Sequence, residues 1–160
     1  MAKEKEVKTN AMRFLEKNKI SYEAKSYECD EFIDGTVVAD KLGQPYSETF
    51  KTLIAKGKSE YYCFLLPVDR ELDLKKAAKS VGEKSVELLH VKDINAVTGY
   101  VRGGCTPIGM KKQFKTVVHN SAESLPLFFI SGGKIGLQIR LSPAELVNSI
   151  RGKFEDIIAE

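Results

Sequence analysis

The chain has little cysteine and no C-x-x-C pair: Cys29, Cys63 and Cys105 are an odd number set far apart. That pattern supports neither a disulfide framework nor a zinc site and suits a reducing cytosol. Long apolar runs are also missing. The longest, Tyr61 to Val68 (YYCFLLPV), is far too short to span a bilayer, and the N-terminus MAKEKEVKTN has charges with no apolar run behind it. The expectation is a cytoplasmic chain, neither exported nor membrane-embedded. Histidine is scarce: only His90 and His119 occur, with no H-E-x-x-H or similar ligand set, so no metal or other cofactor is expected. Neither sign of charge dominates, since a net +3 permits a nucleic-acid partner without demanding one. Hydrophobic residues at 42% and charged residues at 29% exclude disordered and fibrous classes. With no repeat, low-complexity tract or linker, residues 1–160 read as a single domain able to bury roughly two-thirds of its unfolded surface.

What is present is an order of short elements. Val7, Ala11, Phe14 and Leu15 recur at helical spacing, predicting an amphipathic helix over Glu4 to Lys19. A strand and loop follow over Ser21 to Gly35, then a short helix, TVVADKL, stopped by Gly43. ETFKTLIA and EYYCFLLPV read as a hairpin connected through Gly57, the second strand buried on both faces. Asp73 caps LKKAAKSV, whose Leu74, Ala77, Ala78 and Val81 form one stripe ending at Gly82. VELLHV, TGYVRG, FKTVVHN, PLFFIS and GLQIRL read as further strands, with a helical turn over Asp93 to Val97. Ser142-Pro143-Ala144-Glu145 opens a last helix with a capping box and directs Leu146, Val147 and Ile150 to the core. The fold class is α+β, a mixed, strand-rich sheet flanked by helices.

The stretch GYVRGGCTPIGMKK, residues 99–112, is rich in glycine, yet it is no phosphate loop. Gly104 to Gly109 has the P-loop gap, but Met110 stands where the lysine must reach phosphates, and Gln113 follows Lys112. Neither this loop nor SGGKIG at 131–136 has the dinucleotide pattern G-x-G-x-x-G. Cys105 as a nucleophile would need a base to form thiolate, and nothing in the sequence brings a histidine near it. A packed thiol is the better reading. Two readings of the glycines stay open: a tight turn, or backbone N–H groups of Gly103-Gly104 aimed at a carbonyl or oxyanion.

In ETFKTLIA, strand alternation puts Phe50, Thr52 and Ile54 on one face, and Lys51 with Leu53 and Ala55 on the other. A cation among apolar neighbours either snorkels past the strand end or sits in a pocket to bind an anionic or carbonyl group.

Four blocks bear on that choice: FKTL, DLKKAAKSVG, TGYVRGGCTPIGMKK and FFISGGKIGLQI. In this order and spacing, over nearly the whole chain, they resemble the YbaK/EbsC family of aminoacyl-tRNA deacylases, on the side of its Cys-tRNA(Pro) branch. The resemblance implies an α+β fold related to the editing domain inserted in some prolyl-tRNA synthetases. It also implies hydrolysis of the ester joining a mischarged amino acid to tRNA, Cys-tRNA(Pro) and also Cys-tRNA(Cys), without a cofactor. On that resemblance Lys51, Gly103, Gly104 and Ser131 are the candidate catalytic residues, and Tyr27, Phe50, Thr106, Pro107 and Gly132 surround the substrate. Thr106 stands where relatives often have Ser in GG-x-SP. Two departures are visible. Glu28 to Gly35 is shorter than in relatives and lacks their Phe-Gly pair, leaving Phe32 as the candidate substitute. Gln138 replaces an Asp of some relatives, so no charged role is carried onto it.

An aminoacyl ester is already activated, so positioning and oxyanion stabilisation suffice, a well-placed donor being worth about 3 kcal/mol. For a cysteinyl ester the resemblance implies that the substrate thiol attacks its own carbonyl. Lys111, Lys112 and Lys115, with Lys75, Lys76 and Lys79 as a second cluster, are candidate contacts to tRNA phosphates. The expected partners are mischarged tRNA and, from the family, prolyl-tRNA synthetase, with neither DNA nor a membrane among them. The rival readings are a deacylase for Ala-tRNA(Pro) or another small aminoacyl-tRNA, and a non-catalytic tRNA- or synthetase-binding module.

Overall fold

The apolar run YYCFLLPV becomes the strand around which the chain is arranged. In the computed structural model, which describes residues 8–29 and 33–160, the chain opens with α1 (Asn10–Lys17), β1 (Glu23–Ser26), α2 (Gly35–Leu42), β2 (Phe50–Lys56) and β3 (Tyr61–Pro67). It continues through α3 (Leu74–Ser80), β4 (Glu87–Leu88), α4 (Val91–Thr98), β5 (Lys115–His119), β6 (Phe128–Ser131), β7 (Leu137–Leu141), α5 (Pro143–Ser149) and β8 (Lys153–Glu155).

Five strands form a mixed sheet in the order β4-β2-β3-β5-β8, and three form a smaller antiparallel sheet, β1-β7-β6. In the larger sheet β2 runs antiparallel to both β3 and β4, whereas β3–β5 and β5–β8 are parallel. Alternation along the strands sorts side chains into two cores. Ile54, Cys63, Leu65 and Val118 face one, completed by α1, α5 and the small sheet. Ala55, Tyr62, Phe64 and Val117 face the other, covered by Ala77 and Ala78 of α3. Phe50 meets Phe128 edge-on with centroids 5.2 Å apart, and Thr49 bridges Phe129, so the two sheets are joined at the start of β2.

The caps follow the sequence signals. Asp73 accepts from the amides of Lys75 and Lys76 at 2.9 and 3.0 Å, Ser142 accepts from Glu145 at 3.2 Å, and Gly43 ends α2 at φ 66°. The α+β class, the hairpin and the twice-buried strand are therefore borne out. Several details differ. The first helix begins at Asn10, capped by Thr9, and the part expected before Lys8 lies outside the described residues. Leu74 of the α3 stripe is exposed. VELLHV shrinks to a two-residue strand, and with His90 at the N-cap position the following residues form a helix longer than the turn expected there. TGYVRG is not a strand. Gly99 and Gly103 take φ of 85° and 83°, a left-handed backbone that breaks any ladder, and the segment is a loop. The strand β8, unexpected from its three-residue length, pairs with β5.

The C-terminal segment is held down by charge. Lys76 reaches Asp156 at 3.0 Å and the Ile158 carbonyl at 2.9 Å. Buried His119 accepts at Nδ1 from the Ser121 amide at 3.2 Å, and its Nε2 lies 3.4 Å from Asp156. Burial lowers the His119 pKa, with Arg70 and Lys76 acting the same way and Asp156 opposing them. Its folded value therefore lies below the ordinary one near 6.5, so the unfolded chain takes up a proton that the fold resists. Stability from this site is complete above that ordinary value and is lost as pH falls below it. Thermal melts from pH 7.5 to 5 are expected to show Tm declining, with His119→Asn flattening part of the decline. Parallel curves for the two proteins would refute the assignment.

Candidate active site

Only the end of β2 is covered by β4, which pairs with Ala55 and Lys56. From Thr49 to Ile54 the outer side of the strand instead lines a cavity of about 660 Å³. The Ile54 carbonyl is taken by the Leu89 amide at 2.9 Å. By strand alternation Thr52 presents its own N–H and C=O on that same side, where β4 no longer reaches. The remaining walls come from Tyr27, the first turn of α2, the Asp69–Glu71 loop, α4, the glycine loop and the facing pair Ser131 and Gln138.

Lys51 lines this cavity, with Arg70 and Arg102 as further cations of the lining, so it does not snorkel past the strand end. Burial lowers its pKa below the ordinary lysine range, with Glu71, Asp34 and Asp69 opposing in that order. No hydrogen bond or ion pair involves its ammonium among the described residues. Asp34 is placed as the N-cap of α2, yet its side chain makes no capping bond. The result is a partly desolvated cation with carboxylates near enough to be felt but not in contact.

The glycine blocks 99–109 and 131–136 pack on each other. A Cβ on Gly104 would sit 2.8 Å from Lys134 Cα, and one on Gly109 would sit 2.7 Å from both Tyr100 Oη and the Asn10 carbonyl carbon. Tyr100 Oη donates to the Ile108 carbonyl at 2.8 Å, pinning the loop across its base. Gly104 is buried and its amide donates to the Val101 carbonyl at 2.9 Å, so it is unavailable to a ligand. Gly103 is exposed, lines the cavity, and its amide has no partner among the described residues. The tight-turn reading thus applies to Gly104, and of the pair only the Gly103 amide is left unbonded among the described residues.

Tyr27, Phe50, Lys51, Gly103 and Ser131 are brought together at the cavity, whereas Gly104, Thr106, Pro107 and Gly132 stand behind its wall. Gly132 closes the β6–β7 connection, where a Cβ would lie 2.6 Å from Leu137 Cγ. Ser131 Oγ accepts from the Gly133 amide at 3.2 Å and keeps its own proton to donate. Phe32 lies outside the described residues. Asp34, Asp69, Glu71, Arg102 and Thr52 also line the cavity without having been singled out. Signals for some existed: DRE follows the apolar run directly, and Arg102 precedes the glycine pair. The Oε1 of buried Gln138 and the Oγ1 of Thr52 have no hydrogen-bond partner among the described residues.

Cys105 lines the cavity but is no ready nucleophile: burial pushes its thiol up to about 11, with Thr98 and the Thr106 backbone opposing only part of that. His90 and His119 are not among the lining residues. No group of three or more His, Cys, Asp or Glu side chains among the described residues is placed to hold a metal ion. Lys111, Lys112 and Lys115 are exposed, as are Lys75 and Lys79, but Lys76 is committed to Asp156.

A model of the aminoacyl-tRNA editing domain family matches residues 35–148. The chain belongs to that family. A protein of Enterococcus faecalis named "Putative Cys-tRNA(Pro)/Cys-tRNA(Cys) deacylase EbsC" is 44% identical over 162 aligned positions, covering 98% of each chain. A proline–tRNA ligase of Fervidobacterium nodosum is 33% identical over 95 residues, which are 59% of this chain but 16% of the ligase. Among solved structures, "Crystal structure of a putative trans-editing enzyme for prolyl tRNA synthetase" matches with TM-score 0.83 at 21% identity, covering 96% of this chain and 99% of that one. At that identity the likeness shows the fold. The expectation of an aminoacyl-tRNA deacylase is borne out at the level of the family.

Because the fold disfavours the charged form of Lys51, the cation costs stability at neutral pH. Lys51→Met is therefore expected to leave Tm at pH 7 unchanged or raise it by a few degrees. A drop of several degrees would show that Glu71, Asp34 and Asp69 more than repay the burial.

Proposed function

We propose that this chain removes cysteine from mischarged Cys-tRNA(Pro), with Cys-tRNA(Cys) as a second substrate, in the cytoplasm. The observation that carries the reading is Lys51, a cation without a direct partner in a cavity shared with Tyr27, Gly103 and Ser131. The choice of cysteine is supported by the 44% identical relative and its name. A volume of about 660 Å³ is in the range of small-ligand sites and suits a terminal adenosine carrying a small amino acid.

In the proposed mechanism the ammonium of Lys51 attracts the polar ester end, while the Gly103 amide and Ser131 Oγ orient the carbonyl and ribose. The substrate thiol gives up its proton and its sulfur attacks the carbonyl carbon. The bond from that carbon to the ribosyl oxygen breaks, and this oxygen takes the proton, releasing tRNA and a cyclic thiolactone that water opens. The protein supplies position and electrostatic stabilisation rather than a nucleophile, in keeping with a Cys105 held as thiol. An alanyl ester lacks the attacking group, so selectivity would come from substrate chemistry as much as pocket shape. A complex with prolyl-tRNA synthetase would add the tRNA selection that a cavity for the 3′ end does not provide.

The test is amino-acid release from cysteinyl- and alanyl-tRNA(Pro) by the purified protein, with chelator present and absent. Rapid, chelator-insensitive loss of cysteine is expected, falling about 10²–10³-fold in Lys51→Ala, the scale of one lost electrostatic stabiliser. Faster release of alanine would favour the small-residue deacylase, and no release from either would favour a binding module. Cys105→Ser is expected to stay within a few-fold of the parent, whereas a loss near 10³-fold would restore the thiol as nucleophile.

A further inference from the structure

A second cavity, of about 460 Å³, opens toward the other end of the strand order, between the end of α3, the start of β5 and the turn from α5 into β8. Its lining contains Lys79, Lys115, Arg151 and Lys153 and not one acidic residue. All four cations are exposed. The nearest counter-charges stand outside the lining: Glu155, 3.1 Å from Lys153, and Glu83, within electrostatic reach of Lys115. The floor is tight, since a Cβ on Gly152 would lie 3.0 Å from the Thr116 carbonyl. The Gly82 and Gly152 amides are spent on Lys79 and Val147, which leaves the side chains as donors.

Arg151 adds an independent observation. It holds φ 55° just after α5, a left-handed position where glycine is the economical residue, and Gly152 stands one place later. The Gly152 amide on the Val147 carbonyl at 2.8 Å closes the helix and fixes this turn, which sets Arg151 on the lining of the cationic cavity.

We infer that this cavity is a phosphate-binding site for the RNA backbone, holding the acceptor stem while the 3′ end occupies the cavity beside β2. The inference rests on the proposed deacylase reading for its choice of RNA. The two cavities flank opposite sides of β3 in the sheet, and strand spacings place them on the order of 15–20 Å apart. At about 3.4 Å of rise per nucleotide, that is roughly five nucleotides, just past the unpaired 3′ end. The sequence placed Lys79 and Lys115 in two separate clusters. The fold joins them and adds Arg151 and Lys153, which sequence reading had not considered.

The test compares wild type with Arg151→Gly and with Arg151→Gly/Lys153→Gln, by titrating a labelled tRNA(Pro) transcript across salt concentrations. Arg151→Gly relaxes the backbone, so its Tm should be no lower than wild type, and lost binding cannot be lost folding. The double variant is expected to bind about tenfold more weakly, with a slope of log K against log salt shallower by about 2. Unchanged affinity and slope would overturn the site. Weakening as large on a cysteinyl ester of the CCA trinucleotide would also overturn it, because that substrate cannot span the two cavities. Tighter binding of inorganic tripolyphosphate than of the transcript, lost in the double variant, would replace RNA by a small polyanion. If wild type releases no amino acid yet the variants still lose transcript, the deacylase reading falls and the site stands.

Discussion

The parallel pairing of β3 with β5 is the constraint from which the rest of the architecture follows. With both faces and both edges of β3 occupied, the chain cannot return beside it through a tight turn. A parallel neighbour requires a crossover, and here the crossover is everything from Val68 to Phe114. It must travel over one core and come back alongside the strand it left. On the way it lays α3 on the sheet, touches the outer edge of β2 with a two-residue strand, and returns through α4 and the glycine loop. Because β4 is so short, it covers the far end of β2 and leaves the near end open. The cavity is what remains between that open edge and the crossover that failed to close it.

This origin explains the chemistry of the lining. An open strand edge is a hazard in a folded protein, since its unpaired N–H and C=O groups invite another chain. Here the edge is screened by loops, and beyond the Ile54 carbonyl those groups have no backbone partner among the described residues, which suits a small polar ligand. Lys51 sits on the same segment and carries the same tension. Burial disfavours its charge, and Glu71, Asp34 and Asp69 recover part of the loss without a direct contact. A closer pairing would be more stable and would leave the ammonium with nothing to offer a substrate. The distance kept between cation and carboxylates is therefore the feature that stability alone would not produce.

How much of this could be read from sequence depended on whether the controlling interaction was local. The alternation in ETFKTLIA exposed Lys51 as an anomaly because a strand's neighbours on one face are fixed two residues apart. Asp73, Ser142 and Gly43 announced helix ends for the same reason, since a cap acts within three residues. TGYVRG misled because Tyr, Val and Thr favour strands, while the left-handed Gly99 and Gly103 forbid one in a loop whose Tyr100 and Gly104 pack against Gly133 and Lys134, residues distant in sequence. Gly104 looked like a donor, and only the fold shows its amide turned back to Val101 and its α-carbon pressed on Lys134. The acids around Lys51 come from separate segments, one before α2 and one after β3, so no window of sequence contains them together.

The same sheet that creates the cavity also separates two tasks. Ester chemistry needs few, partly desolvated charges, because each must act at full strength on one bond. Holding a polyanion needs several hydrated charges, because its strength lies in the counterions released along its length. Placed together, the two demands conflict: a cluster of exposed lysines around the ester would admit water and screen Lys51, and a dry pocket cannot release many ions. The fold keeps them on opposite sides of β3, with the acidic Asp69–Glu71 loop near one and the lysines of α3 and β5 near the other. A rigid, twice-paired strand between them fixes their separation. On the proposed reading, a substrate long enough to reach both would be measured by the protein before any bond in it is broken.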